Sequence, residues 1–210
     1  MPPRRSYDQY CAAARALDAV GDRWTLLVVR ELLVGPRRYT DLHADLPGVS
    51  TDVLASRLKD LEQRGLSTRR RLPPPSAAYV YELTPRGRAL LPVLEALAAW
   101  GAPGLAERAP TDAVRAHWFA LPLLRHLAAA GAQGVAEVRL PEGSFHVCLA
   151  PDAESYGDGP APDGADAGIT LDADTCVAVS RGDLTLGQGV REGRVEVTGE
   201  SVLAKALRAT

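Results

Sequence analysis

The residues with the clearest chemistry are basic and small polar side chains in the first half of the chain. Arg37 and Arg38 stand before a short helical pattern, and three consecutive arginines occupy 69–71. Between these two basic clusters lies a polar segment, 50–59, that contains serines, a threonine, an aspartate and a lysine. Cationic side chains neutralise backbone phosphates, and short polar side chains on a helix can reach base edges. The combination predicts binding to DNA.

The segment 50–65 predicts a capped helix with one apolar and one polar face. Ser50 or Thr51 can cap its start, and Gly65 suits the left-handed residue that closes a helix. The apolar stripe repeats at i, i+4 and i+7, with Val53 beside it: Leu54, Leu58 and Leu61. The major groove accepts a helix whose exposed face carries short polar groups and a lysine. We therefore interpret this segment as a recognition helix.

Three predicted helices precede it, and the last of them forms a helix-turn-helix with it. The first covers 10–20, and Gly21 ends it. The second, opened by Asp22, is apolar around most of its surface and should lie in the core. The third is a short helix near Thr40, followed by a proline-glycine turn at 47–48.

A β-hairpin wing and a further helix are predicted after the recognition helix. The strands cover 66–72 and 78–83, on either side of a proline-rich tip. Alternation assigns one set of side chains to the buried face of the second strand: Tyr79, Tyr81 and Leu83. Thr84 and Pro85 begin the next helix, in which Pro92 predicts a kink or a break. Its apolar stripe favours dimerisation, with a contact inside one chain as the alternative.

The predicted DNA contacts come from the corner before the short helix, from the exposed face of the recognition helix and from the wing: Arg37, Arg38, Tyr39, Thr40, Ser50, Thr51, Asp52, Ser56, Arg57, Lys59, Arg69, Arg70 and Arg71. Arg57 lies nearer the core side, so we assign it to a phosphate. The N-terminus of the short helix after Arg38 would also favour a phosphate oxygen. Strand alternation puts Arg69 and Arg71 on one face and Arg70 on the other. The alternative for each cluster is an ordinary solvated face.

Composition bounds the classes of protein to consider. The 210 residues, 46% hydrophobic and 24% charged, are typical of a globular chain with two domains. Lys+Arg outnumber Asp+Glu by 15 to 11 up to Trp100, whereas the remainder has 9 against 15. The basic end is therefore the candidate for nucleic acid. No apolar run approaches the about 18 to 20 residues of a membrane span, and the first ten residues lack the pattern of a signal peptide, so we expect a cytoplasmic protein without a membrane partner.

Motifs of catalysis and metal binding are not found in the sequence. The three cysteines are odd in number and widely spaced, and the four histidines form no ligand pattern with them. The sequence contains no GxSxG, no HExxH and no phosphate-binding glycine loop. We predict a protein that is not an enzyme and has no metal or cofactor.

Five landmarks follow one another over about the first half of the chain: the cysteine that opens the first helix, GDRWTLLVVREL, GPRRYTDL, LxxRLKDLEQRGL and YELTPRGRAL. On these landmarks the chain resembles the HxlR-type winged-helix transcription regulators, relatives of the MarR group. The resemblance implies a homodimer that recognises a palindromic operator in bacterial DNA. It also implies a role for Cys11 as a redox sensor, which requires thiolate character. The alternative for Cys11 is a small apolar residue at a dimer or core contact.

The second half begins with a joint near Pro110 and has an α/β pattern. A helix is predicted from Thr111 or Asp112, followed by two strands, 135–140 and 144–150, about a tight turn. The segment 151–168 has no periodicity and is predicted to be mobile. Beyond it the order is strand, short helix capped by Asp172 or Asp174, polar turn, second short helix, strand and closing helix.

This order resembles the last part of sterol-carrier-protein-type lipid-binding domains. The resemblance implies a sheet and helices that open onto an apolar cavity. Trp118, Phe145 and Val147 are the candidates to line it, and ordinary core packing is the alternative for each. An apolar small molecule bound there could control DNA affinity only by favouring one dimer geometry.

Together these inferences give a mostly α winged helix-turn-helix domain with a β-hairpin wing at 1–108, for DNA binding and dimerisation, and an α/β sterol-carrier-like domain at 109–210. The predicted function is a homodimeric, sequence-specific transcription regulator of bacteria, controlled by an apolar ligand or by a cysteine. The alternative is a lipid-binding carrier or scaffold protein that uses its winged helix for contacts with proteins.

Overall fold

The computed structural model describes residues 6–150 and 155–209. By its internal contacts the chain divides after Leu91 into two compact units. The domain boundary predicted between 108 and 109 stays a prediction. The division by internal contacts falls earlier in the chain, so that residues 92–108 belong to the second unit.

The first unit contains five helices and a two-stranded sheet within its described residues: α1 (Ala12–Val20), α2 (Thr25–Leu33), α3 (Tyr39–Asp45), α4 (Thr51–Gln63), β1 (Ser67–Arg71), β2 (Tyr79–Leu83) and α5 (Pro85–Arg88). The predicted order of elements is confirmed. The largest shift of a boundary is at α2, which begins at Thr25 rather than at Asp22. Trp24 has a left-handed backbone with φ of 77° immediately before it, so the helix cannot extend further back.

The leucine stripe and the polar side of α4 are confirmed, whereas Val53 beside the stripe is exposed. Leu54, Leu58 and Leu61 are buried in the core of the unit. The Ser50 hydroxyl accepts a hydrogen bond from the Val53 N–H and caps the helix, and Gly65 follows its end with φ of +67°. Local capping and leucine spacing therefore suffice to form this helix and to fix which side faces outward.

The wing forms, but of the predicted buried face of its second strand only Leu83 is buried. β1 and β2 pair antiparallel, with Ser67 opposite Leu83 and Arg71 opposite Tyr79. Val80 and Leu83 are the buried side chains, whereas Tyr79 is 49% exposed. Alternation fails because Val80 faces the core of the unit, and the tyrosines lie beneath an arginine on the other side.

The break predicted at Pro92 is confirmed. α5 ends at Arg88, a turn occupies 89–90, and α6 (Leu91–Gly101) follows. Pro92 has no N–H to offer the carbonyl of Arg88, and its ring clashes with that carbonyl in a straight helix.

The helical stretch Pro85–Ala106 corrects the expectation about apolar runs. Its length and composition would allow it to cross a membrane, and only 11% of its most apolar 18 residues are buried. The break before α6 argues against a span, because an 11-residue helix rises about 16 Å while the hydrocarbon core is about 30 Å thick. The stretch is better described as two helices and a 3-10 turn, in which α6 has an exposed apolar face.

The second unit contains α6 and the following elements among its described residues: 3-10 turns at Ala102–Ala106 and Ala116–Phe119, α7 (Ala120–Ala128), β3 (Gly134–Leu140), β4 (Gly143–Leu149), β5 (Ser155–Asp158), β6 (Ala167–Thr170), α8 (Ala173–Arg181), α9 (Leu186–Arg191), β7 (Glu196–Thr198) and α10 (Val202–Ala209). The strands form one sheet in the order β5-β4-β3-β6-β7, in which β3 and β6 are parallel and the other neighbours antiparallel. The predicted β3–β4 hairpin, the cap at Asp172 and the order of the last elements are confirmed.

Two predictions for this unit are wrong. The helix expected from Thr111 or Asp112 begins only at Ala116, as a 3-10 turn that leads into α7. The segment expected to be without structure contains β5, which pairs with β4. β5 has four residues and includes a glycine, so no alternating pattern is visible in the sequence. Residues 151–154 of that segment lie outside the described residues.

Candidate nucleic-acid interface

The exposed face of α4 presents the polar residues predicted to read DNA. Asp52, Ser56 and Lys59 are exposed opposite the leucines that hold the helix in the core, and Ser50 and Thr51 are exposed at its start. These groups lie in the N-terminal two-thirds of the helix, the part that contacts base edges in helix-turn-helix proteins. The face combines hydroxyl groups, one carboxylate and one ammonium, so it can donate to and accept from base edges.

Tyr39 positions the recognition helix. Its hydroxyl donates a hydrogen bond of 2.8 Å to the carbonyl of Thr51, and its ring stacks on His43 with centroids 6.4 Å apart. The first residue of α3 is thereby joined to the first residue of α4, on the two sides of the turn. Tyr39 therefore holds the angle between the two helices, which differs from the direct DNA contact that the sequence predicted.

The corner before α3 is more neutral than its sequence indicates. Arg37 is half-buried with a guanidinium nitrogen 3.9 Å from a carboxylate oxygen of Asp45, and its backbone pairs with that of Tyr81. The Asp41 carboxylate accepts the Arg38 N–H at 3.3 Å, so an anion of the chain already stands at the start of this helix. This arrangement argues against a phosphate at the helix N-terminus.

Two side chains remain available at this corner. Arg38 is exposed, and its guanidinium donates to the hydroxyl of Ser76 at the wing tip, over 3.0 Å. Thr40 is exposed, and its hydroxyl donates to Asp41 at 3.2 Å. Both hydrogen bonds are solvent-accessible and could be exchanged for a phosphate oxygen.

Arg57 is held inside the unit. Its guanidinium forms ion pairs with Asp22 and, over 3.0 Å, with Asp60, while its side chain is mostly buried. Two carboxylates neutralise the single charge, so little of its potential reaches the solvent. Its geometry indicates a link between α4 and the segment before α2 rather than the predicted phosphate contact.

The three arginines of the wing have three different environments. Arg69 lies over the ring of Tyr79, 4.1 Å from its centroid, and Arg70 donates to both carboxylate oxygens of Glu82 at 3.1 to 3.2 Å. Arg71 is exposed and forms no ion pair with any residue in the described part of the chain. Burial raises the pKa of the Tyr81 hydroxyl, and the Arg69 charge partly offsets this effect. Arg69 and Arg71 are thus the wing cations best placed to meet a phosphate.

Comparison with known proteins agrees with this geometry. The model of a family described as HxlR-like helix-turn-helix matches residues 19–108. The HTH-type transcriptional regulator YvaP of Bacillus subtilis, itself uncharacterised, is 38% identical over 86 residues, which cover 41% of this chain and 80% of YvaP. The chain belongs to the HxlR-like helix-turn-helix family.

A second HxlR-like relative matches this chain over a similar length. The HTH-type transcriptional regulator YodB of B. subtilis is 36% identical over 85 residues, 40% of this chain and 76% of YodB. The solved reduced form of YodB aligns at 32% identity over 50% of this chain and 100% of its own, with a TM-score of 0.41. The relatives are named as transcriptional regulators, and the family match includes α4 and the wing. DNA-binding regulation is therefore the function of this HxlR-like region.

Sequence reasoning missed two features of the HxlR-like region. Arg86 and Arg88 are exposed basic residues of α5, and Arg86 donates to the carbonyl of Arg64 at 3.0 Å. Val53 is 38% exposed, although its position beside the leucine stripe indicated a core residue. The signal for Val53 was its wheel position, which lies at the edge of the stripe rather than within it.

Cys11 is exposed immediately before α1 of the HxlR-like chain. The backbone N–H groups of Ala14 and Ala13, at the start of that helix, lower the pKa of its thiol. The other cysteines differ from it, because Cys148 is half-buried and the burial of Cys176 raises the pKa of its thiol. Among the three cysteines, Cys11 is the exposed one, and it lies where a helix start favours the thiolate.

The second unit has a cavity, but not where the sequence predicted it. Phe145 and Val147 have no exposed surface, and Trp118 is half-buried beneath Arg115. The cavity measures about 240 Å³ and is lined by Glu95, Ala96, Ala99, Leu121, Pro122, Arg125, Ala128 and Ser180. None of the three predicted residues borders it, which favours their alternative interpretation as core.

Proposed function

We propose that this chain is a homodimeric transcription regulator that reads a palindromic operator with α4 and contacts the flanking phosphates with Arg38, Arg69 and Arg71. The observation that carries the proposal is the outward polar face of α4. Three buried leucines anchor the opposite face, the Ser50 cap fixes its start, and Tyr39 joins it to α3. A helix held in this way presents its first turns as a rigid body to the major groove.

The charge distribution supports this assignment. Lys+Arg exceed Asp+Glu by 15 to 11 up to Trp100, and several of those cations are neutralised within the unit. Exposed cations lie at the corner and on the wing that flank α4 in the chain: Arg38, Arg69 and Arg71. Phosphate contacts from such positions would set the register of the helix in the groove.

An exposed apolar stripe on α6 supports the dimer. Val93, Leu97 and Trp100 recur at i, i+4 and i+7, and they are 43%, 43% and 84% exposed. Contiguous apolar surface of this kind usually marks a contact with another protein. A second copy offers the same stripe, so the contact would be isologous, as in a twofold dimer.

Operator binding tests the proposal. Full-length protein is mixed with duplexes from the region upstream of its own gene, and a scrambled duplex serves as competitor. The titration is repeated between about 50 and 200 mM salt, a range over which counterion release lowers affinity strongly. We expect one retarded species that persists against the scrambled competitor and weakens steeply as salt rises. Binding that is equal for both duplexes, or absent at low salt, would contradict a sequence-specific regulator and favour the carrier or scaffold alternative.

Cysteine control is the better supported of the two predicted forms of regulation. Exposure and a lowered pKa support reactivity of Cys11. Control by an apolar ligand rests on the sterol-carrier resemblance and on the confirmed order of elements at the end of the chain. The cavity of about 240 Å³ is smaller than the roughly 300 to 1,000 Å³ of typical small-molecule sites. We therefore propose redox control through Cys11 ahead of ligand control.

A further inference from the structure

We propose that Val53 is a specificity-determining residue that reads the 5-methyl group of a thymine in each half of the operator. This inference rests on the proposed function, since it assumes that α4 enters the major groove. Val53 is 38% exposed on a helix whose other aliphatic side chains larger than alanine, Leu54, Leu58 and Leu61, are buried.

The fold itself does not require an apolar side chain at this position. Val49, just before the Ser50 cap, and Leu54 are both buried, and these are the two positions whose contact fixes the entry of the chain into a helix. Val53 contributes its backbone N–H to the Ser50 hydroxyl, which any residue but proline could do. A β-branched residue is also a weaker helix former than alanine. The presence of valine here therefore calls for another explanation.

The chemistry of the major groove supplies that explanation. Base edges there present polar donors and acceptors, and the thymine methyl is their apolar feature. Val53 is the third residue of α4, in the turn that approaches base edges most closely in helix-turn-helix proteins. Its neighbours on the exposed side, Asp52 and Ser56, are polar and could address the flanking donors and acceptors.

The side chain is also well prepared for such a contact. A valine in a helix strongly prefers one χ1 rotamer, so its two methyl groups are nearly fixed before DNA binds. The hydrogen bond from the Val53 N–H to the Ser50 hydroxyl, and the one from the Tyr39 hydroxyl to the Thr51 carbonyl, hold the backbone of this turn in place. Little conformational entropy is lost when a fixed methyl pair meets a thymine methyl.

Thymine-to-deoxyuridine replacement removes the methyl group and leaves the hydrogen-bonding edges of the base pair unchanged. The probe is the duplex that full-length parent protein enriches from a random pool, resynthesised with deoxyuridine at one thymine of each half-site in turn. We expect one symmetric pair of thymines whose replacement weakens binding by about fourfold per half-site, the equivalent of one buried methylene.

Val53→Ala should bind the thymine duplex more weakly and should lose the discrimination between thymine and deoxyuridine at that pair. Gln63→Ala, at the exposed end of the same helix, is the matched control and should keep the discrimination. Because Val53 is exposed and alanine favours helix, Val53→Ala should keep the melting temperature of the parent, which is measured alongside. Val53→Thr retains the shape and one methyl, so an intermediate discrimination is expected.

Three results would overturn the inference. If the parent protein enriches a sequence but shows no methyl preference at any thymine, the role of Val53 is contradicted and the proposed function still stands. Val53→Ala that keeps the parent's full discrimination assigns the methyl contact to another residue. Failure of the parent to enrich any sequence would overturn the proposed function and this inference together.

Discussion

Helices α4 and α6 bury one face each but differ in what they leave exposed. α4 buries three leucines and exposes hydroxyl groups, a carboxylate and a lysine. α6 buries Leu94 and exposes Val93, Leu97 and Trp100. Water solvates the first surface well and the second poorly, so the polar face is suited to a hydrated groove and the apolar face to another protein surface. Under the proposed function, the difference would separate the residues that choose a DNA sequence from those that bring two readers together.

The largest expected effect comes from reversing the polarity of the α6 face. The double change Leu97→Asp and Trp100→Asp should prevent association, because two charges would be buried at the dimer contact. Operator affinity should then fall by about 100-fold or more, as the second half-site loses its tethered partner. Sedimentation gives the mass and a binding titration gives the affinity.

Val202→Asp is the matched control, since it places a charge on another apolar side chain that is 78% exposed, on α10. It should leave mass and affinity unchanged. A double variant that stays dimeric would remove the distinction drawn between α4 and α6 and locate the dimer contact elsewhere.

The second effect compares the two faces of α4 itself. Leu58→Ala removes a fully buried side chain and should lower the free energy of unfolding by about 2 to 5 kcal/mol, measured by urea titration. Ser56→Ala, on the exposed face, should change it by about 0.5 kcal/mol or less while weakening operator binding. If Ser56→Ala lowers stability and leaves binding intact, the polar face is structural.

Sequence reasoning succeeded on α4 because its determinants are local. The cap at Ser50 and the leucine spacing lie within one helix, so pattern and structure agree. It failed where distant residues decide. Asp22 neutralises Arg57 from a separate segment, and Val80 rather than Tyr79 faces the core because of the elements packed against β2. β5 was missed since a four-residue strand with a glycine has no period to detect.

The third effect compares an unpaired cation with a paired one. Arg71→Ala should reduce the slope of log affinity against log salt by about 0.9 for each phosphate that the arginine neutralises, or about 1.8 for the dimer. Arg57→Ala should change this slope little, because Asp22 and Asp60 already neutralise that guanidinium. Titrations of the same operator over a range of salt concentrations measure both. Equal slopes for the parent and Arg71→Ala would exclude the wing arginine from phosphate binding.

The smallest expected effect concerns Cys11, which lies at the start of α1 and belongs to neither α4 nor α6. The helix-start N–H groups lower its pKa in the folded chain, so alkylation by iodoacetamide should accelerate as pH rises through a value below that of an ordinary thiol. By linkage the same shift adds stability above the unfolded pKa and loses it as pH falls through the folded pKa. Mass mapping should find Cys11 modified before Cys148 and well before buried Cys176, and unfolding in urea should remove this order.

Oxidant treatment then tests whether modification of Cys11 affects DNA binding by α4 or association through α6. We expect the parent to lose operator affinity while it remains dimeric, because α1 can alter the geometry of the two readers without exposing charge on α6. Cys11→Ser should keep its affinity under the same treatment, and Cys148→Ser should behave as the parent does. Dissociation on oxidation would instead place the control on the apolar face, and equal sensitivity of Cys11→Ser and the parent would exclude Cys11 as the sensor.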